Sequence, residues 1–445
     1  MISIAVLTIV LLFILIILGV QIGFSLAVMS FIGVWLMSGK LTVALAILAT
    51  TSFEAIREYV FAVLPLFILM GAFMSNSGAA KDLFSASNYL LKRLPGGMGV
   101  ATVAANAVFA AVTGVSVASA AVFSKISLPE MVRLNYDKKF AVGAVAGSSV
   151  LGMLIPPSVL LIIFGMLSEA SIGKLFVAGV MPGVVLALIY SIGIVTMSVV
   201  KPEIAGRKKA AGDTAAAAEQ AKTAAEGEKF GITAVKSLPV FILVILVLGG
   251  IWGGLFTPTE ASAVGALGAM VVAFFKKISF QQLKEVLLET AATSSTILFL
   301  LITAQMYSRM LSMSGLVVWL GDQVAASNVS SGVVMFLLCI LLLILGCILD
   351  STSILLLTVP LILPIAAHFQ WDLLWLGIVM VMVTEMGLLT PPFGMVAFAM
   401  KATLGDAVAL EDIFRGSLPF LLMMAIGVLV VIAFPVLSTW LPSLM

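Results

Sequence analysis

Gly152-Met153-Leu154-Ile155-Pro156-Pro157 sits inside an apolar stretch at 141–168, and Gly387-Leu388-Leu389-Thr390-Pro391-Pro392 repeats its pattern in the second half of the chain, inside 374–400. Proline lacks an amide and its ring opposes the preceding turn, so two in succession inside an apolar helix must break it. One such break is a kink; two at matching places point to a duplicated element. The same spacing recurs outward from the breaks. Ser116 and Pro129 match Ser351 and Pro364 at the offset that carries Gly152 onto Gly387. Further out, Ser75-Asn76-Ser77-Gly78 matches Ser312-Met313-Ser314-Gly315, and Gly179-Val180-Met181-Pro182 matches Gly416-Ser417-Leu418-Pro419, both at a slightly larger offset. Four ordered correspondences at so nearly constant a spacing mark an internal repeat.

The rest of the chain is almost as apolar. Of its 445 residues 62% are hydrophobic and 10% charged, with a mean hydropathy of +1.25. A soluble domain carries about 25% charged residues, so the chain reads as an all-α polytopic membrane protein. A bilayer-crossing helix needs about 20 apolar residues. Such spans lie at 4–21, 23–38, 60–76, 141–168, 176–200, 237–254, 259–275, 291–310, 374–400 and 416–438. The stretch 41–56 is shorter and more polar and is placed near the interface. Other classes fall away. A net charge of +2 offers no basic face for nucleic acid. Cys339 and Cys347 share one apolar run and give no disulfide framework. His368, the single histidine, excludes His-based metal clusters, and no Walker A loop occurs. Residues 2–36 lack the basic n-region and small-residue site of a cleaved signal, and are read as a membrane pair broken near Gln21-Ile22-Gly23.

Two apolar stretches, 97–131 and 332–366, are interrupted near their middles by small and polar residues: Thr113-Gly114-Val115-Ser116-Val117-Ala118-Ser119 and Asp350-Ser351-Thr352-Ser353. Irregular backbone at membrane depth is tolerated only where it is buried in protein or lines a cavity, so both are expected to be re-entrant hairpins. On this map eighteen of the 23 Lys and Arg residues face one side, while Lys40, Arg57, Lys174 and Arg309 face the other and Lys125 sits in a hairpin. The positive-inside rule makes the crowded side cytoplasmic, which puts both termini outside and the two hairpins on opposite sides. The repeat is then inverted, the construction of secondary transporters. The insert at 203–230, rich in Ala, Lys and Glu, reads as a cytoplasmic connector.

Inverted repeats with broken helices place their site near the midplane, at the breaks. Freed carbonyls there suit a hard cation, and exposed amides at half-helix amino ends suit a carboxylate. Asp350, between Leu349 and Ser351 in a long apolar run, is costly unless paired or facing water, and it is read either as part of the substrate or ion site or as a hydrogen-bond anchor of the hairpin. Glu385, six residues before Pro391, is the second intramembrane acid. Ser116, Ser119, Ser351 and Ser353 offer hydroxyls to the cavity or pack helices closely. Thr259, in Thr257-Pro258-Thr259-Glu260, reads as a helix cap.

With these residues in place, the chain resembles the large membrane subunit of tripartite ATP-independent periplasmic (TRAP) transporters. The stretches that carry the likeness are Leu64-Pro65-Leu66-Phe67-Ile68-Leu69-Met70-Gly71, the Thr113–Ala118 tip, Gly152-Met153-Leu154-Ile155-Pro156-Pro157-Ser158, residues 176–183, Gly253-Gly254-Leu255-Phe256-Thr257-Pro258-Thr259-Glu260-Ala261 and Leu389-Thr390-Pro391-Pro392-Phe393-Gly394. They cover nearly the whole chain outside 203–230. The resemblance implies an inverted-repeat, elevator-type transporter with two re-entrant hairpins and two Pro-Pro-broken helices. It implies import of an organic acid across the bacterial inner membrane, coupled to sodium (Na+), with a small membrane subunit and a periplasmic substrate-binding protein as partners. The first sodium site would involve Gly114 and Ser116 with Gly152 and Pro156. The second would involve Asp350, Ser351 and their neighbours with Thr390 and Gly394. Ser116, Ser158, Asp350 and Ser353 are candidates for the substrate surface. The family often has Pro where Gln21 stands and Ser where Val115 stands, which leaves only backbone carbonyls at that point of the tip.

The expected division is 1–60, first scaffold helices; 61–200, first repeat; 201–236, cytoplasmic linker; 237–290, central scaffold helices; and 291–440, second repeat. The small subunit is expected to be a separate chain. Two other classes compete. An intramembrane serine protease would need a base beside Ser116, with Lys125 or His368 as the candidates, and would leave the repeat unexplained; the chain is expected not to be an enzyme. A stand-alone sodium- or proton-coupled organic-anion carrier or antiporter would need no binding protein, with Glu385 the residue to suspect as proton carrier.

Overall fold

The computed structural model describes residues 1–57, 59–206, 230–327 and 329–445, so most of the expected connector at 203–230 lies outside the described residues. Among the described residues there is no strand, only one antiparallel bridge between Tyr136 and Ala205. Eight helical stretches among the same residues are long and apolar enough to cross a membrane, as the composition demands.

The first half opens with α1 (Ile2–Ile17), α2 (Ile22–Ser38) and α3 (Leu41–Arg57). There follow α4 (Val63–Asn76), α5 (Ala79–Leu91), α6 (Gly97–Thr113), α7 (Ser116–Arg133), α8 (Lys138–Ser149), the single turn α9 (Leu151–Leu154), α10 (Val159–Ser168) and α11 (Ile172–Val200). The second half opens with α12 (Phe230–Trp252) and α13 (Pro258–Phe275). It continues through α14 (Phe280–Ser314), α15 (Leu316–Ala326), α16 (Ser331–Gly346), α17 (Ser351–His368), α18 (Leu373–Gly387), α19 (Met395–Leu404) and α20 (Leu410–Ala433).

The repeat is visible in this order. Gly78 and Gly315, matched in sequence, take φ of +77° and +75° and each joins one helix to the next. A left-handed residue without a Cβ ends a helix at little cost. Beyond them α5 corresponds to α15, the α6–α7 pair to α16–α17, α8–α10 to α18–α19, and α11 to α20. The first helix pair breaks inside the expected stretch, at Gly114–Val115; the second breaks at 347–350, mostly ahead of the expected Asp350–Ser353 stretch, whose serines open the next helix; and both Pro-Pro segments break their helices, with the Pro156–Pro157 and Pro391–Pro392 bonds in cis.

One difference from the sequence reading stands out. The span at 291–310 is only the apolar middle of α14, whose 35 residues extend about 52 Å. Its first turns are amphipathic and start at a capping box between Ser279 and Gln282, which a hydropathy window does not register. The stretch at 41–56 is a continuous helix, α3, packed on α2 and α14.

Small residues set the close approaches. A Cβ on Gly23 of α2 would lie 2.6 Å from the ring of Phe299 on α14, and one on Gly265 of α13 would lie 2.6 Å from the Met70 sulfur on α4. A Cβ on Gly143 of α8 would run into the Gly416 carbonyl of α20, and one on Gly416 into the Lys139 carbonyl of α8, so neither could carry a side chain. The halves also interlock: α7 packs on α19, and α17 packs on α10. Each helix pair therefore leans its second helix on the other half's post-break helix. This crossing is what brings the two tips together.

Candidate functional site

The first tip is seated on the first Pro-Pro break. Gly114 ends α6 with φ +64°, and a Cβ there would lie 2.5 Å from the carbonyl oxygen of Pro157. A Cβ on Gly152 would lie 3.1 Å from the Ser116 amide nitrogen. Gly114, Ser116 and Gly152 of the expected first ion site are therefore brought together. The proline that meets the tip is Pro157. Pro156 instead turns its ring toward Gly179 of α11.

Ser158 is buried, and its hydroxyl joins the two sides of the break. It donates to the carbonyl of Met153, left without a helical partner, and accepts from the Leu161 amide at 3.3 Å as the N-cap of α10. Both ends of the interruption are satisfied by one side chain, as buried polar backbone requires.

The second tip is built differently. Asp350 is the N-cap of α17, accepting from the Ser353 amide at 3.0 Å and from the Ser353 hydroxyl. Its carboxylate is turned onto its own helix, the anchor reading, and it occupies Ser353 in doing so. At the second break Thr390 donates its hydroxyl to Met386 at 2.9 Å. The missing Cβ of Gly394 is nearest to the carbonyls of Leu388 and Thr390 and the ring of Phe414, with no atom of the second tip among them. Thr390 and Gly394 come together. Asp350 joins the site through its helix, by way of Ser351.

That link is Glu385. It lies on α18, fully buried, with one carboxylate oxygen accepting the Ser116 hydroxyl at 2.5 Å and the other accepting the Ser351 hydroxyl at 2.8 Å. Ser116 and Ser351 are matched positions of the repeat, each the first residue of the second helix of its pair. Among the described residues Glu385 has no salt bridge. Sequence reasoning finds Glu385 as an intramembrane acid but does not place it among the site residues. The signal is its cost: a lone carboxylate six residues before a helix break has to be satisfied by groups the break brings near.

With its hydroxyl on Glu385, Ser116 has no Lys or His base. Lys125 lies exposed nine residues along the same helix, about 13 Å away in rise, and His368 packs edge-on against Phe369. The arrangement gathers hard oxygen groups around two helix interruptions, groups of the kind that ions and polar solutes take.

Residues 9–437 match the family model described as tripartite ATP-independent periplasmic transporter, DctM component. The C4-dicarboxylate TRAP transporter large permease protein DctM of Pseudomonas aeruginosa is 32% identical over 415 residues, covering 92% of this chain and 93% of that one. The sialic acid TRAP transporter large permease protein SiaM of Vibrio cholerae is 29% identical over 428 residues, covering 96% and 95%. A solved structure, the YdaH transporter of Alcanivorax borkumensis, superposes with a TM-score of 0.62 at 13% identity over 89% of this chain and 88% of that one, a likeness of fold alone.

Proposed function

We propose that this chain, which belongs to the DctM component family of tripartite ATP-independent periplasmic transporters as a large membrane subunit, imports an organic acid across the inner membrane by coupling it to sodium in an elevator movement. The observation that carries the reading is the meeting of both tips on Glu385 beside the first Pro-Pro break. A transporter of this kind needs a compact site between interrupted helices, and the meeting of the two tips supports putting it here.

The donor set fits the parts assigned to it. Backbone carbonyls and hydroxyls at the interruptions are hard oxygen ligands, so Gly114, Ser116, Gly152 and the Pro156–Pro157 segment would hold one sodium ion. Ser351, the Asp350 segment, Thr390 and Gly394 would hold a second. For the acid, the amino ends of α7 and α19 are the favourable places: neither has a side-chain cap, and the two helices pack together. Uncapped amides carry partial positive charge toward an anion. The named relatives carry C4-dicarboxylates and sialic acid, both carboxylic acids, which supports a carboxylate here.

In this reading the moving body holds α6–α10 and α16–α19, and the scaffold holds α1–α4 and α12–α14, with both termini periplasmic. The small membrane subunit packs on the scaffold, and a periplasmic binding protein delivers the acid. The test needs no substrate: thermal unfolding of the chain with its small subunit in sodium, potassium and choline chloride at equal ionic strength. A ligand at 100 times its Kd adds about 2.7 kcal/mol, so sodium alone should raise the Tm. Equal Tm in all three salts up to high concentration would overturn sodium coupling. Uptake into proteoliposomes that proceeds without a binding protein would favour a stand-alone carrier.

A further inference from the structure

Glu385 is tied to both tips at once, and its place in the repeat explains why only one such tie exists. At the offset that pairs Ser116 with Ser351, its counterpart in the first half is Val150, fully buried and apolar. The two serines it holds are repeat mates, but the carboxylate itself is unpaired in the other half. Each of its oxygens serves a different tip: Oε2 takes Ser116 at 2.5 Å and Oε1 takes Ser351 at 2.8 Å. All three residues are buried, with Ser116 and Glu385 fully enclosed. Water is therefore not at hand to replace either hydroxyl, and a tip that turns away leaves a buried acceptor unmade. Behind the tie, α16 approaches α18 at Gly346 and Gly387, where a Cβ on Gly346 would lie 2.7 Å from the Gly387 Cα. The second pair is thus packed backbone to backbone on the helix that carries Glu385.

We propose that Glu385 is a positioning residue that sets the first turns of α7 and α17 in register with each other, so that the ion sites at the two tips form together and fill cooperatively. The proposal rests on the sodium reading above. Its structural core, one carboxylate ordering two tips, can be tested apart from that reading.

The experiment uses the chain with its small subunit, reconstituted in proteoliposomes with the binding protein, and compares wild type with Glu385→Gln and Glu385→Ala. Gln keeps a carbonyl to accept one hydroxyl and an amide to donate to the other, whereas Ala keeps neither. The sodium dependence of uptake should be sigmoidal in wild type and in Glu385→Gln. In Glu385→Ala the Hill coefficient should fall to about one and half-saturating sodium should rise about tenfold, while KM for the delivered acid at saturating sodium changes less than about twofold. Should the Ala variant not assemble, Glu385→Met fills the space without accepting a hydroxyl and takes its place. Unchanged cooperativity in the Ala or Met variant, with only less folded protein, would reduce Glu385 to a structural residue and overturn the proposal. Loss of cooperativity in the Gln variant as well would overturn the hydrogen-bonded tie in favour of bare charge. Hydrogen exchange supplies the arm independent of sodium. Amide protection in the first turns of α7 and α17 should fall together in Glu385→Ala, and a change at one tip alone, or at neither, would overturn the tie even if sodium proves irrelevant.

Discussion

At the first break Pro156, Pro157 and Ser158 are buried; at the second, Pro391, Pro392 and Phe393 are exposed. The residues that differ account for this. Where the first half has Ser158 to bridge Met153 and Leu161, the second has Phe393, which offers no polar group, and α19 starts at Met395 behind Gly394, an N-cap with no side chain to offer. The tips reverse the arrangement. Val115 leaves α7 uncapped, while Asp350, at the matching position, caps α17. Each half therefore seals one helix start and leaves the other open. The packing then sorts them, because the sealed α10 lies against α17 and the open α7 lies against α19. A duplicated element has become an arrangement with one side whose helix starts carry side-chain caps and one side whose helix starts do not.

The heaviest blow to this comparison falls at Gly114. Gly114→Val puts a β-branched residue at φ +64° and drives its Cβ into the Pro157 carbonyl. Left-handed strain of about 1–2 kcal/mol adds to overpacking of about 1–3 kcal/mol. The variant is expected to lose folded complex in thermal unfolding and to abolish uptake. The mirror change Leu349→Val, at the matching position of the second tip, should cost less than about 1.5 kcal/mol. Equal losses at both positions would mean that the two tips are not built differently.

Ser158→Ala comes next. It removes an N-cap and leaves the Met153 carbonyl unpaired in a buried place, a loss of about 1–3 kcal/mol. The opposite edit sharpens the contrast. Gly394→Ser puts a hydroxyl at the N-cap of α19, with its Cβ pressed 2.7 Å from the Leu388 carbonyl, and is expected to lower the Tm slightly while raising KM for the delivered acid, because the capped amides no longer bind it. A folded variant with unchanged KM would move the acid away from the α19 start.

The contrast also shows what could be read from sequence. The breaks, both helix pairs and the repeat were legible because proline and glycine act through the backbone, whatever surrounds them: Pro156–Pro157, Gly78 and Gly315 do the same thing in any context. Composition was enough for the membrane. The partners of side chains were not legible. Nothing near Glu385 in sequence announces Ser116, 269 residues away, because that contact exists only after α7 has crossed to the other half. Asp350 stood out by its cost in an apolar run, yet a local partner in the first turn of its own helix satisfies it, and local capping is invisible to hydropathy. The length of α14 was missed for a related reason, since its first turns are held by a capping box rather than by apolar content.

Asp350 itself yields a smaller, more discriminating effect. Asp350→Ala removes the cap of α17 and should cost about 0.5–2 kcal/mol, whereas Asp350→Asn keeps an acceptor for the Ser353 amide and should lie within about 0.5 kcal/mol of wild type. If the residue only anchors the tip, the Asn variant transports normally. Normal stability with lost sodium response in that variant would instead return the carboxylate to the ion site.

Thr390→Val should be milder than Asp350→Ala, and the reason is geometric. The Thr390 hydroxyl is already used within its own helix, donating to Met386 at 2.9 Å, while the carbonyl of the same residue is turned toward Gly394. If the second site takes oxygen from Thr390, the free group is that carbonyl, which Val retains. Removing one hydrogen bond from a partly exposed side chain costs about 0.5–1.5 kcal/mol, so the Tm should fall by no more than a few degrees and half-saturating sodium should move less than about threefold. The matching position in the first half is Ile155, a side chain without any hydroxyl at a break that is nonetheless expected to serve an ion. A large loss of sodium affinity in Thr390→Val would show that the hydroxyl leaves Met386 to reach the ion, and that the two breaks bind by different chemistry as well as standing differently open.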